Sequence, residues 1–332
     1  MTQAIEVKDL TKKFDEFLAV DHISFDVRLG EVFGFLGPNG AGKTTTTRML
    51  TGISTPTEGI ARVMGYDIQT EAFQAKEQIG VVTDLSNVYN ELTAWDNLIF
   101  TGKLYGVSKD RRVERARELL EMFGLLEVKD KNVSEFSGGM KRRLTIAMAL
   151  VNDAKTLFLD EPTTALDVQS VRIIRDLIRQ LNADGTTIFL TTHNMEEANE
   201  LCDRVAIINQ GRIGVIGTPE RLKQTIERVH SLEVVFAKQR SSLIENLREL
   251  ETVHDIKKMG DKIRLYTLDP ASALSDLFDF ANKRDERILS VNTLSPSLED
   301  VFLELTGEKI VKRPKRGKKG SKMKEEGRRE PK

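Results

Sequence analysis

The sequence of 332 residues predicts an α/β fold with an antiparallel β subdomain and an inserted helical lobe, followed by a small α+β domain of ferredoxin-like order. Three observations predict it. A glycine-rich loop, residues 37–45, stands between an apolar strand pattern and a helical one. Strand and helix alternate again from residue 156 to residue 193, after a long helical interruption. Beyond Thr218-Pro219 the order becomes strand, helix, strand, strand, helix, strand, the split βαβ arrangement.

Taken in order, QAIEVK (3–8) and ISFDVR (23–28) alternate apolar and polar residues, as half-buried antiparallel strands do. EVFGFLG runs apolar into the glycine loop, and TTTTRMLTG continues as a helix ending at Gly52. From 92 to 136 the pattern is helical. In KDRRVERARELLEMFGL the apolar residues Val113, Ala116, Leu120 and Phe123 recur at helical spacing, which marks a separate lobe at about 88–137. TLFLDE then reads as a strand, VQSVRIIRDLIRQLNADG as a helix and TTIFLTTH as a strand. RVAIIN and RIGVIG, joined through Gln210-Gly211, read as a hairpin. SLEVVF, SSLIENLRELE, VHDIKKM, KIRLYTL, ASALSDLFDFANKR and ILSVNTL supply the second domain, and PSLEDVFLELTG closes the folded part as a helix. The expected division is therefore 1–219, 220–306 and a tail, 307–332.

Composition narrows the class. With 39% hydrophobic, 30% charged and 6% aromatic residues the chain has the balance of a water-soluble globular protein. No apolar run approaches the roughly 18 residues that span a bilayer, and MTQAIEVKDL lacks the basic-then-apolar pattern of a secretory signal, so a cytoplasmic location is expected. One cysteine, Cys202, and four histidines offer no cluster for zinc and no intrachain disulfide. The net charge of −1 conceals an asymmetry: residues 311–332 carry eleven Lys or Arg against three Glu, so that segment is +8 and the remainder −9. Its Pro, Gly and charge content predicts disorder, either as a solubilising tail or as a contact for RNA or an anionic lipid leaflet.

The chemistry concentrates in three places. GPNGAGKTT, Gly37 to Thr45, satisfies G-x-x-x-x-G-K-[ST] and sits between strand and helix, the context that defines a P-loop. Backbone N–H groups along Asn39, Gly40, Ala41, Gly42, Lys43, Thr44 and Thr45 are expected to cradle phosphates, Lys43 to reach the β and γ oxygens, and the Thr44 hydroxyl to hold Mg2+. TLFLDE supplies adjacent carboxylates at a strand end, a costly pairing that a bound cation relieves. Asp160 is expected on the metal side and Glu161 beside the attacking water. His193 ends the next apolar strand, hence lies at the same sheet edge, where ligands of open α/β sheets bind. The third place is FSGGM, 136–140: Ser137, Gly138 and Gly139 precede a helix, and the glycine pair offers unhindered N–H groups at its positive end, a second anion seat.

Together GPNGAGKTT, FSGGM, TLFLDE, the following TTALD and the His of TTHN resemble the nucleotide-binding subunit of ATP-binding-cassette (ABC) transporters, over residues 4 to about 220. The resemblance implies a P-loop NTPase cassette that hydrolyses ATP with Mg2+. It also implies that Ser137, Gly138 and Gly139 grip, in trans, the γ-phosphate of ATP held by a second copy or a homologous cassette, in a head-to-tail dimer around two ATP molecules. By position, Phe14 and Val20 match the apolar wall against adenine, and Asp167 the loop that signals between the two sites. PSLEDVFLELTG is similar to the end of the drug, antibiotic and sodium exporter subgroup, in which a separate membrane permease is the partner at the inner face of the membrane.

Two departures stand out. Met140 replaces the usual Gln and cannot make its side-chain hydrogen bonds. Asp84, after IGVVT, replaces another Gln; a carboxylate there is expected to approach Mg2+. The competing reading is a soluble cassette ATPase acting on ribosomes or nucleic acid, supported by the basic tail alone. One cassette and an interval of about 95 residues between P-loop and signature, too short for a long coiled-coil insertion, disfavour it, and nucleic acid is not the expected partner.

Overall fold

The structure, a computed structural model, describes residues 3–83, 87–225, 230–238, 241–294 and 296–306. Asp84 and the basic tail therefore lie outside the described residues. Compactness divides the rest into two units. One holds the described residues up to Thr225 together with 296–306, and the other those from His230 to Leu294.

In the first unit β1 (Gln3–Phe14) and β2 (Phe17–Arg28) form a hairpin. Then follow β3 (Val32–Leu36), α1 (Lys43–Leu50), β4 (Glu58–Val63), β5 (Tyr66–Asp67), α2 (Ala72–Glu77) and β6 (Ile79–Val82). The helical lobe holds α3 (Ala94–Leu104), α4 (Lys109–Met122) and α5 (Gly138–Ala149). Alternation resumes with β7 (Thr156–Asp160), α6 (Val168–Ala183), β8 (Thr187–Thr192), α7 (Met195–Leu201), β9 (Arg204–Asn209), β10 (Arg212–Gly217) and α8 (Pro219–Gln224). Sequence alternation reveals only the open end of the β1–β2 hairpin, where Gln3 pairs with Arg28. Register shifts between Val7 and Leu10, Leu10 and Lys12, and Lys12 and Lys13 break the period of two over its remainder.

Two sheets face each other. The antiparallel one has the order β2-β1-β4-β5 and the other β10-β9-β3-β8-β7-β6. In the second, β9, β3, β8, β7 and β6 run parallel, with Leu36 opposite Thr192 and Asp160 opposite Thr191. Parallel pairing without a stagger brings the carboxyl ends of β3, β7 and β8 to one edge, where the P-loop, Asp160-Glu161 and His193 begin. β3, β7 and β8 are buried along their whole length, so they read as continuous apolar runs rather than alternating ones.

The core between the sheets is aromatic. Phe189 of β8 has its ring centroid 5.4 to 6.0 Å from those of Phe25, Phe33, Phe35 and Phe158. Ile5, Leu10, Ile23 and Val63 from the antiparallel sheet close this cluster.

In the second unit β11 (His230–Phe236), α9 (Ser241–Leu247), β12 (Asp255–Met259), β13 (Lys262–Thr267), α10 (Pro270–Lys283) and β14 (Ile288–Leu294) form a sheet of order β12-β13-β11-β14, antiparallel throughout. This is the ferredoxin-like order that the element sequence predicts. Leu232, Val234, Leu247, Leu265 and Leu277 fill its core, and Asp269 caps α10 by accepting from the amides of Ala271 and Ser272. The last helix, α11 (Leu298–Thr306), belongs to the first unit: it packs against α7 and α8, and a Cβ added at Gly214 of β10 would lie 3.6 Å from Leu305.

Because Phe189 contacts four rings, Phe189→Ala leaves a cavity that the surrounding strands cannot collapse into. A loss of about 3–5 kcal/mol is expected, read as a lower denaturant midpoint at unchanged m-value. A loss below about 1 kcal/mol would mean that the ring cluster is not the packing centre.

Candidate nucleotide site

The first anion seat is built on the turn from β3 to α1. Gly42 has φ 107° and an added Cβ would lie 2.8 Å from the Ala19 carbonyl oxygen, so both the left-handed backbone and the close approach require glycine. Lys43, 5% exposed, is the first residue of α1, and its Nζ donates to the carbonyls of Gly37 (2.7 Å) and Pro38 (3.2 Å). The same ammonium pairs with Glu161 Oε1 at 3.3 Å. No side chain caps α1 and its first turn carries no acidic residue, so its dipole end faces the loop.

Asp160 and Glu161 divide their roles by environment. Asp160, 3% exposed, accepts at Oδ2 from the Thr44 hydroxyl (3.0 Å) and at Oδ1 from the Thr191 hydroxyl. Glu161 turns the chain with φ 48°, unusual for a residue with a side chain, and points its carboxylate back across the loop. Besides Lys43, its carboxylate meets the Thr164 hydroxyl at 3.1 Å and His193 Nδ1 at 2.8 Å, both at Oε2. Lys43, Glu161 and His193 thus form one chain of contacts, with the imidazole half-exposed at its outer end.

A cavity of about 330 Å³ adjoins these groups. Pro38, Asn39, Gly40, Gly42, Lys43, Thr44 and Thr45 form one wall, Asp160 and Glu161 the floor, and Phe17 and Ala19 the apolar side. Ala41 turns its methyl group into the core and gives its amide to the Pro38 carbonyl. The expected apolar wall is corrected in part. Val20 is fully buried in the core and does not line this cavity; its neighbour Ala19 does. Phe14, half-exposed under the ammonium of Lys12, lines an adjoining cavity of about 420 Å³ with Thr45, Arg48 and Ile53.

The second anion seat lies elsewhere on this chain, since none of residues 136–140 lines the P-loop cavity. Ser137 caps α5, its Oγ accepting from the Met140 amide at 3.2 Å. The two glycines are not equivalent. An added Cβ at Gly138 would make an ordinary contact with Leu166, whereas one at Gly139 would lie 2.1 Å from Ser170 Oγ. Ser170 is itself tied to Asp167, the cap of α6, through its hydroxyl (2.6 Å) and its amide (2.9 Å), and these bonds hold the Asp167 carboxyl below the usual carboxylate range. The starts of α5 and α6 therefore meet at Gly139, which ties FSGGM to the loop carrying Asp167.

Sequence reasoning passed over Phe17, Ala19, Thr191 and Arg142. The first two lie in a hairpin whose alternation is broken by bulges, and Thr191 reads as an ordinary strand residue. Arg142, only 7% exposed, is one of three consecutive cations, and nothing in the sequence singles it out as the buried one.

A P-loop, a buried aspartate bonded to its threonine, and a glutamate–histidine pair at the next strand ends define a nucleoside triphosphatase of the P-loop class. Residues 20–164 match the family model described as ABC transporter, and 217–306 that of the ATP-binding protein DrrA1-3-like, C-terminal domain. The chain is 40% identical over 309 residues to a Nod factor export ATP-binding protein I of Rhizobium sp. (strain N33), covering 93% of this chain and 99% of that one. It is 39% identical to the daunorubicin/doxorubicin resistance ATP-binding protein DrrA of Streptomyces peucetius, covering 92% and 93%. Among solved structures, cbiO1 of Clostridium perfringens, part of the cbiONQ ABC transporter complex, superposes with a TM-score of 0.63 at 28% identity, covering 67% of this chain and 91% of that one. A dimeric post-hydrolysis state of the cassette MJ0796, bound to ADP and Pi, gives 0.58 at 27%, covering 64% and 98%. The chain belongs to the ABC transporter family, as an ATP-binding and ATP-hydrolysing cassette with a DrrA-like C-terminal domain.

The contact at Gly139 yields a test. Gly139→Ala is expected to lower the unfolding midpoint clearly, because the methyl group meets Ser170, and adding Ser170→Gly is expected to restore most of the loss. Equal losses with serine and glycine at position 170 would show that the two helix starts are not in contact.

Proposed function

We propose that this chain is the ATPase subunit of an exporter, working at the inner face of the membrane on a separate permease. The observation that carries the ATPase chemistry is the convergence of Lys43, Glu161 and His193 with the Thr44–Asp160 pair at one sheet edge. The exporter assignment rests on the relatives, whose names specify Nod factor export and drug resistance, and on the match over 217–306 to a DrrA-like domain. No helix among the described residues is long and apolar enough to cross a membrane, so in this reading transport requires another chain. The soluble alternative acting on ribosome or nucleic acid has no support from the relatives.

The donor set fits Mg2+. Thr44 Oγ1 and Asp160 Oδ2 are hard oxygen donors already turned towards each other at 3.0 Å, and no cluster of three or more His, Cys, Asp or Glu among the described residues would favour a softer or more highly chelated ion. Bound with ATP, the ion would supply neutralisation of charge on the β and γ oxygens. The protein's own groups do the rest. Phosphate oxygens arriving at Lys43 compete with Glu161 for the ammonium and free the carboxylate to accept a proton from the attacking water. His193, bonded to Glu161 at 2.8 Å through Nδ1, keeps that carboxylate oriented and leaves its other ring nitrogen for the γ-phosphate of bound ATP. Phe17 and Ala19 would flank the base. Ser137, Gly138 and Gly139 serve a second copy or a homologous cassette, closing a head-to-tail dimer around two ATP molecules. A dimer in a post-hydrolysis state is known for MJ0796.

Two experiments test this reading. Lys43→Ala is expected to lower Mg2+-dependent ATP turnover by about 10²-fold or more, as loss of a charge-stabilising donor does; wild-type turnover in the folded variant would remove the P-loop from the chemistry. Glu161→Gln is expected to bind ATP without hydrolysing it and to accumulate a dimer, visible by light scattering only when ATP is present. A variant that stays monomeric at saturating ATP would argue against the sandwich.

A further inference from the structure

Arg142 lies in the second turn of α5, five residues after Ser137, and is almost wholly buried. Its guanidinium donates through Nε to the Pro162 carbonyl at 2.9 Å, through Nη2 to the carbonyls of Asp160 and Glu161, each at 2.9 Å, and through Nη1 to the carbonyl of Thr83. One side chain thus gathers three successive carbonyls of the turn after β7 and the first residue beyond β6. That turn is the one in which Glu161 adopts φ 48°. A non-glycine residue in the left-handed region is held there only where its surroundings over-determine it, and here four carbonyls on one rigid fork do so.

The flanking cations are placed differently. Lys141 reaches Asn90, and Arg143 reaches the carbonyl of Phe123, both within the helical lobe. Arg142 is the one of the three that crosses from the lobe to the catalytic edge.

We propose that Arg142 is a positioning residue for hydrolysis: it fixes the backbone that aims Glu161 and ties that backbone to the helix carrying the Ser137-Gly138-Gly139 seat. The proposal rests on the ATPase reading above. It follows that a displacement of α5 moves the Glu161 turn and the end of β6 together, because they share one guanidinium. Lys43 and Thr44 stand on α1, and Lys43 is held by the carbonyls of Gly37 and Pro38, none of which Arg142 touches, so ATP binding is expected to persist without Arg142.

The test compares the purified full-length chain with its Arg142→Gln, Arg142→Lys and Lys43→Ala variants, measuring kcat and KM for ATP in Mg2+. Arg142→Gln is expected to lower kcat on the order of 10- to 100-fold, the scale on which a misplaced catalytic group costs rate, with KM within about threefold of the parent. Arg142→Lys, which keeps the charge but loses the fork, should fall between. A folded Arg142→Gln with the parent's kcat overturns the proposal, as does a variant in which KM rises in step with the loss of kcat, since that is general damage to the fold. Should Arg142→Gln not fold, Arg142→Lys decides by the same two criteria. Lys43→Ala separates the two levels: if it retains turnover, the ATPase reading fails, whereas if it is inactive and the Arg142 variants behave as the parent, only the positioning role fails.

Discussion

The carboxylate of Asp160 is the constraint on which the nucleotide edge depends. It is almost entirely withdrawn from water, and an ionised carboxylate in that position costs several kcal/mol unless its oxygens are satisfied. Thr44 satisfies one oxygen from the first turn of α1 and Thr191 the other from β8, so the buried charge ties two strand ends and a helix together. The parallel pairing of Asp160 with Thr191 and of Leu36 with Thr192 makes those bonds geometrically available. Without the unstaggered alignment, Asp160 would be a buried charge lacking one of its two partners.

Next to this saturated group the chain places a strained one. Glu161 carries its carboxylate at the mouth of the cavity, in contact with a lysine, a threonine and a histidine, and adopts a backbone conformation that side chains ordinarily avoid. The division is consistent with distinct duties: a buried group whose position must not vary, and an adjacent group whose partners can be exchanged when phosphate arrives.

Much of this was legible from sequence, because a P-loop, an Asp-Glu pair after an apolar strand and a Ser-Gly-Gly helix start are contiguous in the chain and carry their physics locally. Gly42 and Lys43 are marked by the residues beside them, although their contacts with Ala19 and Glu161 are not. What stayed illegible depends on pairs far apart in sequence. Gly139 reads as an anion seat, yet its lack of a side chain is equally demanded by Ser170, which arrives from another helix. Val20 and Ala19 exchange places relative to expectation because bulges in β1 and β2 break the alternation that would have assigned their faces. Arg142 has no sequence mark at all, since burial of one cation among three is decided by where α5 lies against β6 and β7.

The chain leaves the first unit after α8 and re-enters it at α11, and those two helices pack against each other. In topological terms the ferredoxin-like unit is therefore an insertion rather than an appendage. The same arrangement makes the first unit discontinuous in synthesis: α11, which packs against α7 and α8, is made only after the whole second unit has been translated. The first unit can thus complete its packing only once the inserted one exists, and shortening the gene from its 3′ end removes α11 from the first unit before it removes the insertion.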